Sequence, residues 1–371
     1  MKILVSPASM KGTLSAVEFS NAIEEGLRRS GHTEIGKIPI ADGGDDTAIV
    51  LASALHANFI SCEVQDPLDR SIQSGFYLNS DGVAIVEMAL ASGLKLLKTE
   101  EYSALNTTSF GTGQLIKSAI AHGAKKILIG VGGSATVDAG MGALMALGFR
   151  FYNSHHQLEK GTGATLGEVV RIDSSEIMET IKQVEILLLT DVRNPLLGIN
   201  GAANVFAPQK GASPFDIKKL NKNLSLFAGS IFQKTGKDIS GIEGGGAAGG
   251  LAAGLHALIN AEIFNGAEFI LNTVGFFEAA THCDAIVTGE GTIDSSTFSG
   301  KGTGAVLNYG TIIDKPVYAI CGVLKMNDHN KFKAVLSLVD QNCSVNEAMN
   351  NSYENVVIKA MYLGNCLNSG Q

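Results

Sequence analysis

Tryptophan is missing from this 371-residue chain, and 16 Phe with 7 Tyr bring the aromatic share to only 6%. The interior must therefore be assembled from Ala, Val, Ile and Leu, as in α/β enzyme cores. Cysteine is sparse and scattered: Cys62, Cys283, Cys321, Cys343 and Cys366 include no C-x-x-C pair. That spacing argues against a disulfide framework or a zinc site and for core thiols in a reducing cytosol. Positive charge is short as well, 28 Lys and Arg against 36 Asp and Glu, for a net charge of −8. Without a Lys/Arg cluster or an aromatic platform, neither a nucleic-acid surface nor an anionic-membrane surface is expected. The apolar run after Met1 is too short for a secretory signal. The apolar stretch 244–261 is rich in Ala and Gly and holds His256 and Asn260, which suits a packed helix rather than a membrane span. A cytoplasmic location is expected.

Two familiar phosphate motifs are also absent. No G-x-x-x-x-G-K-[ST] occurs, so there is no Walker-type loop. Gly130, Gly132 and Ala135 fit a dinucleotide G-x-G-x-x-A, but that pattern needs an acid about 20 residues later to hold the ribose. Residues 148–155, Gly-Phe-Arg-Phe-Tyr-Asn-Ser-His, contain none, which counts against an NAD-linked 2-hydroxy-acid dehydrogenase.

What is present is glycine, 44 residues in discrete clusters beside apolar runs, within a chain that is 45% apolar and 17% charged. Length alone suggests two domains. The stretch 125–142 is central: an apolar strand over 127–129 breaks at Gly130, Gly132 and Gly133, and a helix follows over roughly 140–147. Ser134, Thr136 and Asp138 stand where that helix would begin. Two readings are open: a loop whose amides cradle a phosphate or carboxylate, and a tight turn with ordinary Ser/Thr/Asp caps.

The ends of the chain alternate β and α. A strand at 2–6 precedes a helix capped by Ser15, with Val17, Phe19, Ile23 and Leu27 at helical spacing. The loop between them carries Ser9 and Lys11. A second strand over 35–40 delivers Asp42 and Gly43 to the same sheet edge. Later strands at 284–288, 316–320 and 334–339 complete a five-stranded parallel sheet of flavodoxin-like order. Its first and third strands would be neighbours, so Lys11 would face Gly289, Glu290 and Asp294. From about residue 61 to 280 the texture changes to hairpins and mixed elements. A buried strand over 184–189 there presents Thr190, Asp191 and Asn194, suited to a general base or to an Asx-turn. Residues 207–212 place Lys210 on a loop, and 244–250 form a second glycine loop with free backbone donors. The expected architecture is α/β with two domains: a flavodoxin-like parallel-sheet domain, 1–60 plus 281–371, interrupted by a large mixed α/β domain, 61–280.

Seven collinear blocks bring a family into view: Ile40-Ala-Asp-Gly-Gly44, Ser109-Phe-Gly-Thr-Gly113, Gly132-Gly-Ser-Ala-Thr-Val-Asp138, Thr190-Asp-Val-Arg-Asn-Pro-Leu196, Pro208-Gln-Lys-Gly211, Gly244-Gly-Gly-Ala-Ala-Gly-Gly250 and Thr288-Gly-Glu-Gly-Thr-Ile-Asp294. Over nearly its whole length the chain resembles the bacterial glycerate kinases. The resemblance implies ATP- and Mg²⁺-dependent phosphorylation of D-glycerate, to the 2-phosphate or the 3-phosphate, in a cleft between the two domains. On that reading Asp191 is the base and Lys11 a catalytic cation. Ser9, Asp42, Gly43, Gly132, Gly133, Ser134, Ala135, Thr136, Asn194, Lys210, Gly289 and Lys301 bind nucleotide or substrate, and Glu290 and Asp294 hold the metal. A homodimer is compatible with the chain. The family pattern is broken at Ala8 and Met10, where an aspartate before Ser-Phe-Lys is usual, at Asp45-Asp46, where Glu-Gly is common, and at Thr292, where arginine is usual. Ala8 and Thr292 motivate the competing reading, a non-catalytic or altered-substrate relative.

Overall fold

The computed structural model describes residues 1–44, 46–176, 179–298, 302–325, 331–340 and 343–369. Its strands in chain order are β1 (Ile3–Val5), β2 (Ile35–Lys37), β3 (Asn58–Gln65), β4 (Ser71–Leu78), β5 (Val83–Glu87), β6 (Lys126–Gly130) and β7 (Arg150–Tyr152). These are followed by β8 (Arg171–Asp173), β9 (Glu185–Thr190), β10 (Glu262–Asn265), β11 (Ala285–Ile293), β12 (Val317–Leu324) and β13 (Ala334–Ser337). The chain divides into two compact units, Met1–Ala54 with Ala267–Gln371, and Leu55–Gly266. These boundaries differ from 60/61 and 280/281 for two reasons. The strand β3 pairs with β4 from Asn58 onward, in the second unit's sheet. Leu271, Phe276 and Ala280 pack with Ile286 in the first unit's core.

In the first unit all five strands are parallel, in the order β2-β1-β11-β12-β13. Counted within the unit this is 2-1-3-4-5, the flavodoxin-like order expected. The strand β1 is wholly buried because both faces of a parallel sheet are covered. Alternation along it sends Ile3 and Val5 to the cluster with Phe19, Ile23 and Leu27, and Leu4 to the one with Ile40 and Ile286. The helix Ala16–Arg29 starts at a Ser15/Glu18 capping box and buries Phe19, Ile23 and Leu27, each one turn apart.

The second unit holds a six-stranded sheet, β3-β4-β5-β6-β9-β10, and a separate β7-β8 hairpin. The strands β3, β4 and β5 pair antiparallel, whereas β5, β6, β9 and β10 are parallel. The register sets Glu87 beside Gly130, Gly130 beside Leu189, and Thr190 beside Asn265. Loops bearing polar groups therefore leave one carboxyl edge together. Among the described residues, no helix is long and apolar enough to cross a membrane.

Candidate functional site

In the first unit, a cavity of about 310 Å³ is lined by Ser9, Lys11, Asp42, Glu290 and Asp294, all anticipated from the sequence. Its position follows from the ladder. The β1 pairing runs on past Val5, with the Ser6 amide donating to Val287 O at 2.8 Å and the Ala8 amide to Gly289 O at 2.8 Å. The loop then closes on itself where the Met10 amide meets Leu14 O at 2.8 Å, leaving Lys11 exposed at the tip. Gly291 packs closely here, since a Cβ on it would lie 3.3 Å from the Lys11 amide nitrogen, a tight contact. The Gly289-Glu-Gly-Thr-Ile segment is not the loop the sequence suggested. It extends β11, with Glu290 beside Cys321 and Thr292 beside Val323.

Several anticipated binding groups in this unit are committed elsewhere. The Gly43 amide donates to Thr47 Oγ1 at 3.1 Å. Gly289 accepts from Ala8 and from Thr303 Oγ1 at 3.1 Å, and a Cβ on it would sit 2.1 Å from Ile320 O. Gly289 is a close-packing position. Asp294 closes an Asx-turn, accepting from the Ser296 amide at 2.8 Å and hydroxyl at 2.6 Å. Lys301 lies outside the described residues, as does Asp45. Among the described residues, no group of three or more His, Cys, Asp or Glu side chains could cage a metal ion. Mg²⁺ does not require one, because it keeps water and binds one or two carboxylates together with phosphates. Glu290 and Asp294, lining one cavity, fit that demand. Ala8, Met10 and Thr292, three of the positions that break the family pattern, line the same cavity.

In the second unit, the loop after β6 and the loop after β9 leave neighbouring strands. The helix that follows the first loop is short, Met141–Ala146, and its N-cap is Gly140 in the left-handed region at φ 73°. Its start is already occupied by an anion from the chain itself. Asp138, fully buried, accepts from the Gly140 amide at 3.1 Å and the Gly142 amide at 3.2 Å. It also accepts from the Ser109 amide at 2.8 Å and hydroxyl at 2.7 Å. Burial pushes this carboxyl above the usual aspartate range, and those donors pull it back. Asp138 is thus the cap of the turn, and Ser109, whose hydroxyl it engages, does not cap its own helix.

The donors left over lie earlier in the loop. Among the described residues, the amides of Gly132, Gly133, Ser134 and Thr136 have no acceptor, whereas the Ala135 amide donates to Ser92 O at 2.9 Å. Lys210, expected on a loop, is buried on a 3₁₀ turn, Pro208–Lys210. Its Nζ donates to Ser134 Oγ at 2.7 Å and Thr136 O at 2.8 Å. Burial drags its ammonium down to about 7, against the opposing pull of the Asp138 charge.

Asp191 lines a second cavity, of about 280 Å³, with Thr190, Arg193, Glu243 and Asn265. Asn194 is a structural residue here, its side-chain amide donating to Asn200 O at 2.8 Å. The second glycine loop does not offer the free donors anticipated. The amides of Gly244, Gly245 and Gly246 go to Arg193, Ile242 and Asn194 carbonyls. The glycines permit contact instead: a Cβ on Gly249 would come within 2.0 Å of Thr136 O. Asn265 and Glu243 were not singled out from the sequence. Asn265 ends a four-residue strand whose register with β9 alone brings it beside Thr190.

The model of the glycerate kinase family matches residues 3–367. A glycerate kinase of Haemophilus influenzae is 37% identical over 99% of both chains. The glycerate 2-kinase of Escherichia coli is 37% identical over 96% of this chain and 95% of its own. A crystal structure assigned to glycerate kinase 2 of Salmonella typhimurium superposes with a TM-score of 0.86 at 36% identity, covering 100% of this chain and 99% of the other.

Proposed function

The chain belongs to the glycerate kinase family and is a kinase by descent and fold, and from that premise we propose that it transfers the γ-phosphoryl group of ATP to D-glycerate, forming the 2-phosphate. The observation carrying this reading is the convergence of Lys11, Asp42, Glu290 and Asp294 on one cavity at the carboxyl edge of a parallel sheet. Phosphoryl transfer asks little covalent chemistry of a protein and much positioning and charge neutralisation. Lys11 sits on an exposed tip with the reach to neutralise a phosphate. Glu290 and Asp294 would hold Mg²⁺ through their carboxylates. When bound, that ion would draw phosphate oxygens together and offset their charge.

In the second unit, Asp191 would accept the proton of the attacking hydroxyl, and the unclaimed amides of 132–136 would bind an anionic group of the reactants. The proposed setting is the cytoplasm, with the small hydroxy acid as partner and neither nucleic acid nor membrane. A second reading rests on Ala8, Met10 and Thr292 lining the first unit's cavity: a relative with an altered acceptor, or one that binds without turnover.

A coupled ADP-release assay with MgATP, D-glycerate and a panel of related hydroxy acids tests both. ADP release dependent on D-glycerate, with ³¹P NMR of the product showing a phosphate on the secondary hydroxyl, is the expected result. Turnover with another acid alone, or glycerate binding without ADP release, would replace the first reading by the second.

A further inference from the structure

Lys210 is an unusual use of a lysine. It is 2% exposed, and a buried ammonium is tolerated only when its hydrogens are taken. Among the described residues it forms no ion pair, and Asp138, whose charge acts on it, accepts from Ser109, Gly140 and Gly142. Two of its three donors instead go to one loop, onto Ser134 Oγ and Thr136 O. A hydroxyl oxygen that accepts from an ammonium keeps its own hydrogen for another acceptor. The same loop carries four amides without acceptors, at Gly132, Gly133, Ser134 and Thr136. The Thr136 hydroxyl, fully buried, also has no partner. The loop runs from exposed Gly133 to buried Ser134 and Thr136, and unmatched donors at such an opening, backed by a lysine amine aimed at the loop, describe a site built to meet an anion from outside the chain.

We infer that Lys210 is a positioning residue: held behind the loop, it fixes Ser134 and Thr136 so that the Ser134 hydroxyl and the neighbouring amides act as donors to one anionic oxygen group of the reactants. It does not touch the ligand itself. The inference rests on the kinase reading and refines it. The shared chemistry is a carboxylate or phosphate oxygen, and the two sources, the hydroxy acid and the nucleotide, are separable by kinetics.

The test uses the full chain as wild type, Lys210→Met, Ser134→Ala and the double variant. ADP release is measured with D-glycerate and MgATP varied independently, and calorimetry follows the binding of each reactant alone. Lys210→Met should raise the KM of one reactant by roughly tenfold to a hundredfold while kcat changes far less. A rise for D-glycerate places the carboxylate on the loop, and a rise for ATP places a phosphate there. Because Lys210 works through Ser134, the double variant should be little worse than Lys210→Met alone. Additive losses, an unchanged KM, or a fall confined to kcat would overturn the assignment. If Lys210→Met shows no cooperative thermal transition, Ser134→Ala carries the comparison, and an unchanged KM there would overturn the assignment equally. A wild type silent in the ADP assay would sink the kinase reading instead, and the calorimetric arm would still decide the role of Lys210.

Discussion

At the scale of single residues, the buried charges make opposite demands on pH. The Lys210 ammonium titrates at about 7 in the folded chain, down from 10.5, so the unfolded chain holds more protons between those values. Stability therefore climbs with pH across that window, by up to about 1.4 kcal/mol per pH unit. Lys210→Met should flatten the climb, read as urea midpoints collected on either side of neutrality. Asp138 runs the other way at acid pH. Its folded value lies above the ordinary one, so its contribution is full below the unfolded value and is lost as pH rises through the folded one. Asp191→Asn should leave the thermal midpoint within a few degrees and cut kcat by at least about a hundredfold, the usual scale for a lost general base. A variant with near-normal kcat would take Asp191 out of that role.

At the scale of elements, the glycines divide between binding and packing, and the spacing in the sequence does not distinguish the two. Gly132 and Gly133 leave amides unclaimed. Gly113, Gly249 and Gly254 let backbones touch, since a Cβ on each would come within 2.2, 2.0 and 1.9 Å of the carbonyl oxygens of Ala143, Thr136 and Ala139. Gly254→Ala should cost about 3 kcal/mol in denaturant unfolding, at the upper end of overpacking effects, because a backbone oxygen cannot step aside as a side chain can. Gly229, inside the helix Pro214–Thr235 with nothing within 4 Å of its would-be Cβ, is the matched control. Gly229→Ala should stabilise by about 0.5–1 kcal/mol through helix propensity. A similar gain at both sites would mean that helix backbone preference, and not contact, governs these positions.

At the scale of the whole molecule, the first unit is discontinuous in sequence and the second is not. The strand β1 lies between β2 and β11, so residues 267–371 alone lack both strands on one side of β11 and expose an unpaired parallel edge. The fragment 55–266 keeps its six-stranded sheet entire. Expressed separately, the 55–266 fragment should show cooperative thermal unfolding by circular dichroism, and the 267–371 fragment should not. A cooperative 267–371 fragment would show that its own two helical layers suffice without β1.

Much of the fold is legible in the sequence. The β-α rhythm at the two ends of the chain determined the flavodoxin-like order, because a parallel strand needs a crossover helix and the apolar runs leave few places for one. The same rhythm pointed to Lys11, Asp42, Glu290 and Asp294, because strand ends share an edge, although Glu290 proves to lie within the extended β11 and not after it. What tertiary structure alone decided was partnership. That Asp138 would be consumed by Ser109, 29 positions away in sequence, and that Lys210 would be buried under Ser134, 76 positions away, depends on which loops come to lie against which. A sequence states the chemistry of each donor and acceptor, but only packing at contact distance determines which of them find each other and which are left for a ligand.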